Sequence, residues 1–266
     1  MKILIPLPLR DFDPTETAIP WRLLVAAGHH VVFATPDGRK GHPDERMMTG
    51  RGLGPWRGIL MARRDARDAA KELALTEAFR SPLTWADLDG LADTLDGLVL
   101  PGGHAPGMKT YLESTEVQRL TAAMMARDAP VGAICHGVIV MARSTDAATG
   151  RSVLHGRKTT ALLEQQELAA WWLTRAWLHS YYRTYPETVQ AEVTRALASP
   201  ADFAEGPRPV LRDRPGKLDR GFVVRDGSYV SARWPGDAYR FGTTFIDVLE
   251  ARRGRPRGDS SATAAP

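Results

Sequence analysis

The chain contains a single cysteine, and its surroundings are of the kind that could hold a nucleophile. Cys135 lies in 129-APVGAICHGVIVMA-142, between a run typical of a buried strand and a run typical of a helix. A thiol at a sharp strand-to-helix turn is close to the free N–H groups of the first helical turn, which lower its pKa and favour the thiolate. Free cysteine is also among the most often buried residue types, so a structural thiol in the core is the alternative.

Two turns offer backbone N–H groups to an oxygen anion. The N–H of His136 could face a developing oxyanion, and Gly137 allows close backbone approach. A second turn, 98-LVLPGGHAPG-107, brings Gly102 and Gly103 to the carboxyl end of another parallel strand, where ligands bind in open α/β sheets. This turn lacks the GxGxxG spacing and a P-loop lysine, so it predicts neither a dinucleotide site nor a phosphate site. Taken alone it is typical of an ordinary Pro-Gly turn.

One acidic residue near the N-terminus has two possible roles. The segment 13-DPTE-16 has the spacing of a capping box with Asp in place of Ser or Thr, which predicts that Glu16 closes the start of a helix. By this argument alone the capping role is favoured over a catalytic one.

The elements that must position these residues alternate between strand and helix. Strands are predicted at 2–7, 30–35, 96–101 and 130–134, and helices at 14–27, 62–80, 84–90, 114–127 and from the cysteine turn to 143. A long loop is expected at 36–60. The βαβ order predicts an α/β fold with a mostly parallel sheet.

The second half of the chain follows a different pattern. A short strand is predicted at 157–160, helices at 164–180, 186–198 and 237–252, and a hairpin at 221–233 around Asp226-Gly227. Asp237 is expected to cap the last helix. We predict one domain over 1–252, with an inserted helical region at about 165–215, and a disordered tail over 253–266.

The inserted region contains the aromatic stretch 171-WWLTRAWLHSYYRTYP-186. At helical spacing Trp171, Leu178 and Tyr182 would share one face. Core or dimer-interface packing is the simpler explanation, and the functional alternative is a lid that forms an apolar pocket above Cys135.

Composition narrows the class of protein. The pI is near 9.4, but the net charge is only +4 and the basic residues are spread along the chain, so we expect no nucleic-acid partner. No apolar run is long enough to cross a bilayer, and the N-terminus does not have the pattern of a signal peptide. A single cysteine excludes an internal disulfide, and we expect a cytoplasmic protein. The histidines and the cysteine show no zinc-ligand spacing, so no metal or other cofactor is expected.

The combination of LVLPGGHAPG, VGAICHG and DFDPTETAIPW resembles the ThiJ/PfpI superfamily, the class I glutamine amidotransferase-like proteins. The segment 149-TGRSVLHGRKTTALLEQQE-167 is similar to the heat-shock chaperone/glyoxalase III branch. The resemblance covers roughly 2–170 and 221–250, and it implies a flavodoxin-like three-layer sandwich with a nucleophile elbow. The long aromatic insertion departs from the shorter family members.

The resemblance also implies roles for individual residues. Cys135 would be the nucleophile, with Gly103 and the His136 amide as the oxyanion site, and Glu16 would hydrogen-bond the thiol or act as a general acid/base. A Cys-His-acid triad would take its carboxylate from Glu167 in preference to Glu164. Gly102, Gly137 and His104 would line the substrate site. Glu167 could equally be a solvated helix residue, and His104 an ordinary loop residue.

By the same resemblance we expect a cofactor-independent cysteine-dependent enzyme that acts on a small electrophilic carbonyl compound, as a glyoxalase III-like enzyme or a related hydrolase or lyase. A tailoring hydrolase or lyase for a bulkier metabolite and a non-enzymatic redox sensor or holdase chaperone are the alternatives. The expected partner is a small-molecule substrate, with no membrane and with a second copy in a homodimer.

Overall fold

The computed structural model describes residues 1–253, and these form nine strands and eleven α-helices. The strands are β1 (Lys2–Pro6), β2 (Arg10–Phe12), β3 (His30–Thr35), β4 (His42–Pro43), β5 (Leu83–Thr84), β6 (Gly97–Leu100), β7 (Val131–Ile134), β8 (Val223–Asp226) and β9 (Tyr229–Ala232). The helices are α1 (Pro14–Ala26), α2 (Glu45–Thr49), α3 (Arg57–Leu60), α4 (Arg64–Leu73), α5 (Glu77–Arg80), α6 (Met108–Leu112), α7 (Thr115–Ala126), α8 (Gly137–Arg143), α9 (Glu164–Leu178), α10 (Val189–Ala196) and α11 (Ala238–Arg253).

Seven strands form the main sheet in the order β5-β3-β1-β6-β7-β9-β8. All neighbouring pairs are parallel except the hairpin β8–β9. The short strands β2 and β4 pair separately. The mostly parallel sheet predicted from the βαβ order is therefore confirmed. The order of the strands in the sheet places the carboxyl ends of β1, β6 and β7 side by side.

Helices cover both faces of the sheet. On one face α1 packs against α4 and α11, and on the other α8 packs against α7 and α10. The residues of β6 and β7 are all buried, because parallel strands with helices on both faces have no solvent-facing side. The structure is a three-layer α/β sandwich, which confirms the predicted fold.

Four of the predicted elements differ from the structure. The expected loop at 36–60 contains α2 and α3, and the cap for α2 is Asp44, whose side chain accepts the N–H groups of Arg46 and Met47. The helix predicted over 62–80 is divided into α4 and α5. The helix predicted at 84–90 is a short 3₁₀ turn over Trp85–Leu88. No strand forms at 157–160; within the described chain only an isolated bridge joins Thr159 to Phe203.

The start of α11 corrects a further prediction. Asp237 does not cap this helix, because its carboxylate accepts the N–H groups of Phe222 and Arg233 and pairs with the Arg233 guanidinium at 2.9 Å. The helical N–H of Arg240 is bound instead by Asp213, which is distant in sequence. Because α11 extends to Arg253, the predicted tail begins one residue too early, and the rest of that tail lies outside the described residues.

No helix within residues 1–253 combines the length and the apolar character that a membrane span requires.

Candidate active site

Cys135 lies on a tight turn between β7 and α8. Its φ is +58°, a conformation that is uncommon for a residue with a side chain. Its N–H donates to the carbonyl of Ala232 at 3.0 Å, which extends the β7–β9 pairing by one residue and holds the turn in place. The residue is 5% exposed. The backbone therefore fixes the thiol at the carboxyl edge of the sheet, under cover of other groups.

Gly137 starts α8 directly after this turn. A Cβ at this position would lie 2.1 Å from the carbonyl oxygen of Leu100, at the end of β6. Only glycine allows the helix to approach the neighbouring strand so closely. Gly137 is predicted to line the substrate site; the structure gives it this packing contact.

The Glu16 side chain reaches the cysteine turn from the first turn of α1. Asp13 caps this helix by accepting the N–H groups of Thr15 and Glu16. The reciprocal half of the capping box is absent, because the Asp13 N–H donates to the carbonyl of Gly102. The fully buried Glu16 carboxyl instead accepts the Gly102 N–H at 2.9 Å and lies beside the Cys135 thiol. The tertiary contacts therefore take this side chain away from the capping role.

Burial changes the acidity of the thiol and the carboxyl together. It is the main cause that raises the pKa of Glu16 well above its usual value, and the charge of Asp13 adds to it. Burial also raises the pKa of the Cys135 thiol, an ionised Glu16 or Asp13 beside it raises that pKa further, and the N–H of His136 offsets only part of this. The expectation that the helix N-terminus lowers the thiol pKa is therefore wrong for this protein. Desolvation beside two carboxyl groups outweighs one short helix.

His136 is fully buried and has a defined partner at each ring nitrogen. Its Nδ1 lies 3.5 Å from the sulfur of Cys135, and its Nε2 lies 3.1 Å from the hydroxyl of Thr184. Burial lowers the pKa of the imidazole to about 3, so the ring is neutral near neutral pH. The Thr184 hydroxyl gives its one hydrogen to the carbonyl of His104 at 2.7 Å, so it accepts from Nε2–H. The unprotonated Nδ1 therefore faces the thiol.

The two glycines of the second turn lie against the same site in different ways. The N–H of Gly102 is bound to Glu16, so the structure removes this residue from the predicted oxyanion site. The N–H of Gly103 donates to no acceptor among the described residues, and a Cβ on Gly103 would come within 2.8 Å of the carbonyl oxygen of Asp11. Gly103 and the N–H of His136 remain the candidate oxyanion donors.

Glu167 does not contact His136. One carboxylate oxygen accepts the N–H of Val189 at 2.9 Å, at the start of α10, and the other lies 3.7 Å from Nε of Arg183. Glu164, the alternative, accepts the hydroxyl of Thr188 at 2.9 Å. Both carboxylates join α9 to the start of α10, so the predicted Cys-His-Glu triad is not formed. Thr184 occupies the place beside the imidazole where the prediction puts a carboxylate.

The aromatic stretch covers the site, but not as one continuous helix. The helix α9 ends at Leu178, and His179 takes a φ of +51°, which turns the chain back. Tyr182 is therefore not on the helical face predicted for it. Its ring stacks on His104, with ring centres 4.2 Å apart, and Tyr181 meets the same imidazole edge-on at 4.9 Å. Burial lowers the pKa of His104 to about 3, so this ring is neutral as well.

Sequence reasoning missed Thr184 and the contacts of the two tyrosines. Thr184 lies 48 residues from His136 and has no motif of its own. The dense aromatic composition of 171–186 was the one available signal, and it identified the segment without identifying the contacts.

Comparisons with known proteins agree with this architecture. A family model described as ThiJ/PfpI family-like matches residues 7–205, which is more than half of the chain. A deglycase of Thermococcus kodakarensis is 29% identical over 59% of this chain and 64% of its own length. The deglycase PfpI of Pyrococcus furiosus is 28% identical over the same shares. The matches to the curated relatives span 44–64% of those proteins' lengths.

A solved structure extends the likeness of fold to nearly the whole chain. The glyoxalase III of Candida albicans superposes with a TM-score of 0.66, covering 94% of this chain and 98% of that one, at 20% sequence identity. At this identity the likeness concerns the fold alone.

Proposed function

The chain belongs to the ThiJ/PfpI-like family, and from the geometry around its cysteine we propose that it is a cofactor-independent enzyme that converts a small 2-oxoaldehyde into a 2-hydroxy acid. The observation that carries the proposal is the position of the Cys135 thiol, held on a strained turn between the Glu16 carboxyl and the unprotonated Nδ1 of His136. This arrangement provides a nucleophile, a proton acceptor and a proton donor at one place. The similarity to two deglycases supports a carbonyl substrate.

The raised thiol pKa determines how the reaction begins. We propose that the reaction starts from a neutral thiol, a neutral imidazole and a Glu16 that carries its proton, in keeping with the raised pKa of the thiol and of the carboxyl and the lowered pKa of the imidazole. As sulfur adds to the aldehyde carbon C1, the thiol proton passes to Nδ1 of His136, and Glu16 gives its proton to the carbonyl oxygen. A hemithioacetal forms, and the carboxylate left on Glu16 offsets the charge of the imidazolium. The N–H groups of Gly103 and His136 stabilise the oxygen while charge develops on it.

The remaining steps return every proton. The Glu16 carboxylate removes the hydrogen of C1 as a proton, and His136 protonates the oxygen of C2, which gives an enediol. Glu16 then protonates C2 while His136 takes the proton of the C1 hydroxyl, which gives a 2-hydroxyacyl thioester. Water attacks the thioester, its proton passes to Glu16, and His136 protonates the departing sulfur. The net change is R–CO–CHO + H₂O → R–CHOH–COOH, with no external oxidant.

The same electrostatics disfavour a role as a peroxide sensor. Such sensors use an exposed thiol of low pKa, whereas the Cys135 thiol is buried and has a raised pKa. A nucleophile that is deprotonated only as it attacks fits catalysis better than sensing.

Methylglyoxal provides the first test of this function. We expect turnover to lactate by the wild-type protein and a loss of at least about 10³-fold in kcat for Cys135→Ala. Circular dichroism and thermal unfolding would show that the variant is folded. The surface variant Arg214→Gln, which removes an exposed charge, controls for handling and purity and should keep full activity.

Two outcomes would overturn the proposal. One is equal turnover by the wild-type protein and Cys135→Ala. The other is an absence of turnover on every 2-oxoaldehyde tried together with thiol-dependent release of an amine from a carbonyl adduct, which would move the protein to a deglycase reaction.

A further inference from the structure

A cation near the site has no ion-pair partner in the described chain. Arg212 belongs to the irregular segment between α10 and β8, and its Nη2 donates to the carbonyl of Ile59 at 3.1 Å. Its guanidinium lies 5.5 Å from the ring centre of Trp234, two residues after the end of β9. The Arg212 side chain is half-buried and forms no ion pair with a carboxylate in residues 1–253, so no salt bridge of the described chain neutralises its charge.

The position of Arg212 is linked electrostatically to the cysteine site. Its positive charge acts on the carboxyl groups of Asp13 and Glu16 and on the phenol of Tyr182. Asp13 is the strongest negative influence on it, but that carboxylate accepts the N–H groups at the start of α1. Asp65 also acts on it and accepts the hydroxyl of Tyr239 at 2.8 Å. These carboxylates are engaged elsewhere, so the guanidinium remains available to an incoming anion.

Several buried polar atoms around the same site also have no partner. Among the described residues no hydrogen bond is made by Oε1 of Glu16, Nε2 of His104, the hydroxyl of Tyr182 or Nε1 of Trp234. A buried polar atom that loses water without gaining a partner destabilises the fold, so such atoms usually face a ligand or a bound water. The Cys135 N–H donates to the carbonyl of Ala232, two residues before Trp234, and the Arg212 guanidinium lies over the Trp234 ring. The unpartnered atoms therefore belong to the cysteine turn and to the ring that connects it with Arg212.

A carboxylate fits this arrangement better than other anions. The planar guanidinium matches a carboxylate with two parallel hydrogen bonds. A phosphate carries more charge and requires more donors than one guanidinium supplies. A substrate with a reactive carbonyl at one end and a carboxylate at the other would reach Cys135 and Arg212 at once.

We propose that Arg212 binds the carboxylate of the substrate, and that this enzyme acts on a 2-oxoaldehyde with a carboxylate at its far end. The inference rests on the proposed function, because it assumes the same attack of Cys135 on the aldehyde carbon. It gives a role to the irregular segment between α10 and β8, which brings to the site a charge that selects the substrate. Binding through this charge would place the aldehyde carbon against the sulfur.

The kinetic test compares 4,5-dioxopentanoate with methylglyoxal, which lacks the carboxylate. We expect Arg212→Gln to lower kcat/KM for 4,5-dioxopentanoate by about 10- to 100-fold, mainly through KM, and to change the value for methylglyoxal by less than about threefold. Arg212→Lys should recover part of the loss, because it keeps the charge but not the planar pair of donors. Arg214→Gln is the matched control, since it removes an exposed charge from the same segment. Equal losses on both substrates, or no loss on either, would overturn the proposal.

A binding test separates this inference from the proposed function. In the Cys135→Ala background no covalent step takes place, so calorimetry with 4-oxopentanoate measures carboxylate recognition alone. We expect binding that weakens by at least about 10-fold when Arg212→Gln is added. If binding depends on Arg212 but no 2-oxoaldehyde is turned over, the proposed reaction fails and the carboxylate site stands. If turnover is found and Arg212→Gln leaves binding unchanged, the carboxylate site fails and the reaction stands.

Discussion

Two buried glutamates, Glu16 and Glu167, resemble each other in burial but differ in the groups that surround them. Glu16 and Glu167 are both largely removed from solvent, and burial is the main cause that raises the pKa of each. Glu16 lies beside a thiol and an N–H of the second glycine turn. Glu167 lies beside the N–H of Val189 and the guanidinium of Arg183. A raised carboxyl pKa is therefore first of all a sign of burial. The groups that surround the carboxyl decide whether it can take part in a reaction.

The contacts of His136 and Glu167 also show that surroundings decide the role of a buried group. The imidazole is oriented by a hydroxyl, Thr184, while the carboxylate that could have oriented it joins two helices of the insertion. A neutral histidine needs only a hydrogen-bond acceptor at Nε2 to fix its tautomer, and a hydroxyl whose hydrogen is already given away supplies one.

The largest effect is expected from removing the proton of Glu16. Glu16→Gln keeps the shape of the side chain and an oxygen that can accept the Gly102 N–H, so the variant should fold. It cannot take or return a proton, and we expect kcat to fall by about 10²- to 10⁴-fold. Steady-state kinetics with the best 2-oxoaldehyde, beside thermal unfolding of the variant, would measure this. A variant with kcat near the wild-type value would remove Glu16 from the reaction.

A smaller loss of kcat is expected when the Thr184 hydroxyl beside His136 is removed. In Thr184→Val the imidazole loses the acceptor of its Nε2–H, and the tautomer with Nδ1 protonated becomes accessible, so kcat should fall by about 10-fold. Thr184→Ser keeps the hydroxyl and should keep most of the activity.

The tautomer itself provides the decisive readout for Thr184. Nitrogen chemical shifts of the His136 ring should report a proton on Nε2 in the wild-type protein and in Thr184→Ser, and a mixture of tautomers in Thr184→Val. If all three proteins give the same ring shifts, Thr184 does not position the imidazole, and any loss of activity has another cause.

The smallest effect on turnover is expected at Glu167. Because this carboxylate does not contact His136, Glu167→Gln should leave kcat unchanged within about twofold. A loss as large as that of Glu16→Gln would instead restore a Cys-His-Glu triad.

The same variant should change how stability depends on pH. Burial raises the pKa of Glu167 from 4.5 to about 7, so between these values the folded protein binds more protons than the unfolded chain. The free energy of unfolding must then fall as the pH rises through this window. Glu167→Gln should flatten the fall and be more stable than the wild-type protein at pH 8, by about 1–3 kcal/mol.

Denaturant unfolding at several pH values across this window and just above it would measure the stability change. Asp213, whose pKa burial also raises to about 7, keeps a slope of the same sign in the variant, so the slope should decrease without vanishing. An unchanged slope would show that Glu167 is ionised at a much lower pH in the folded protein.

The sequence by itself determined the sheet, the turn that carries Cys135 and the glycines around it. These features follow from local rules: buried strands are continuous apolar runs, and a small-residue turn between strand and helix presents the residue at its tip. Only the tertiary structure decided which carboxyl meets the thiol, which group orients His136 and that the thiol pKa is raised. Those outcomes depend on contacts across 86 residues from Glu16 to Gly102 and 48 residues from His136 to Thr184, and on burial, which a linear pattern does not contain.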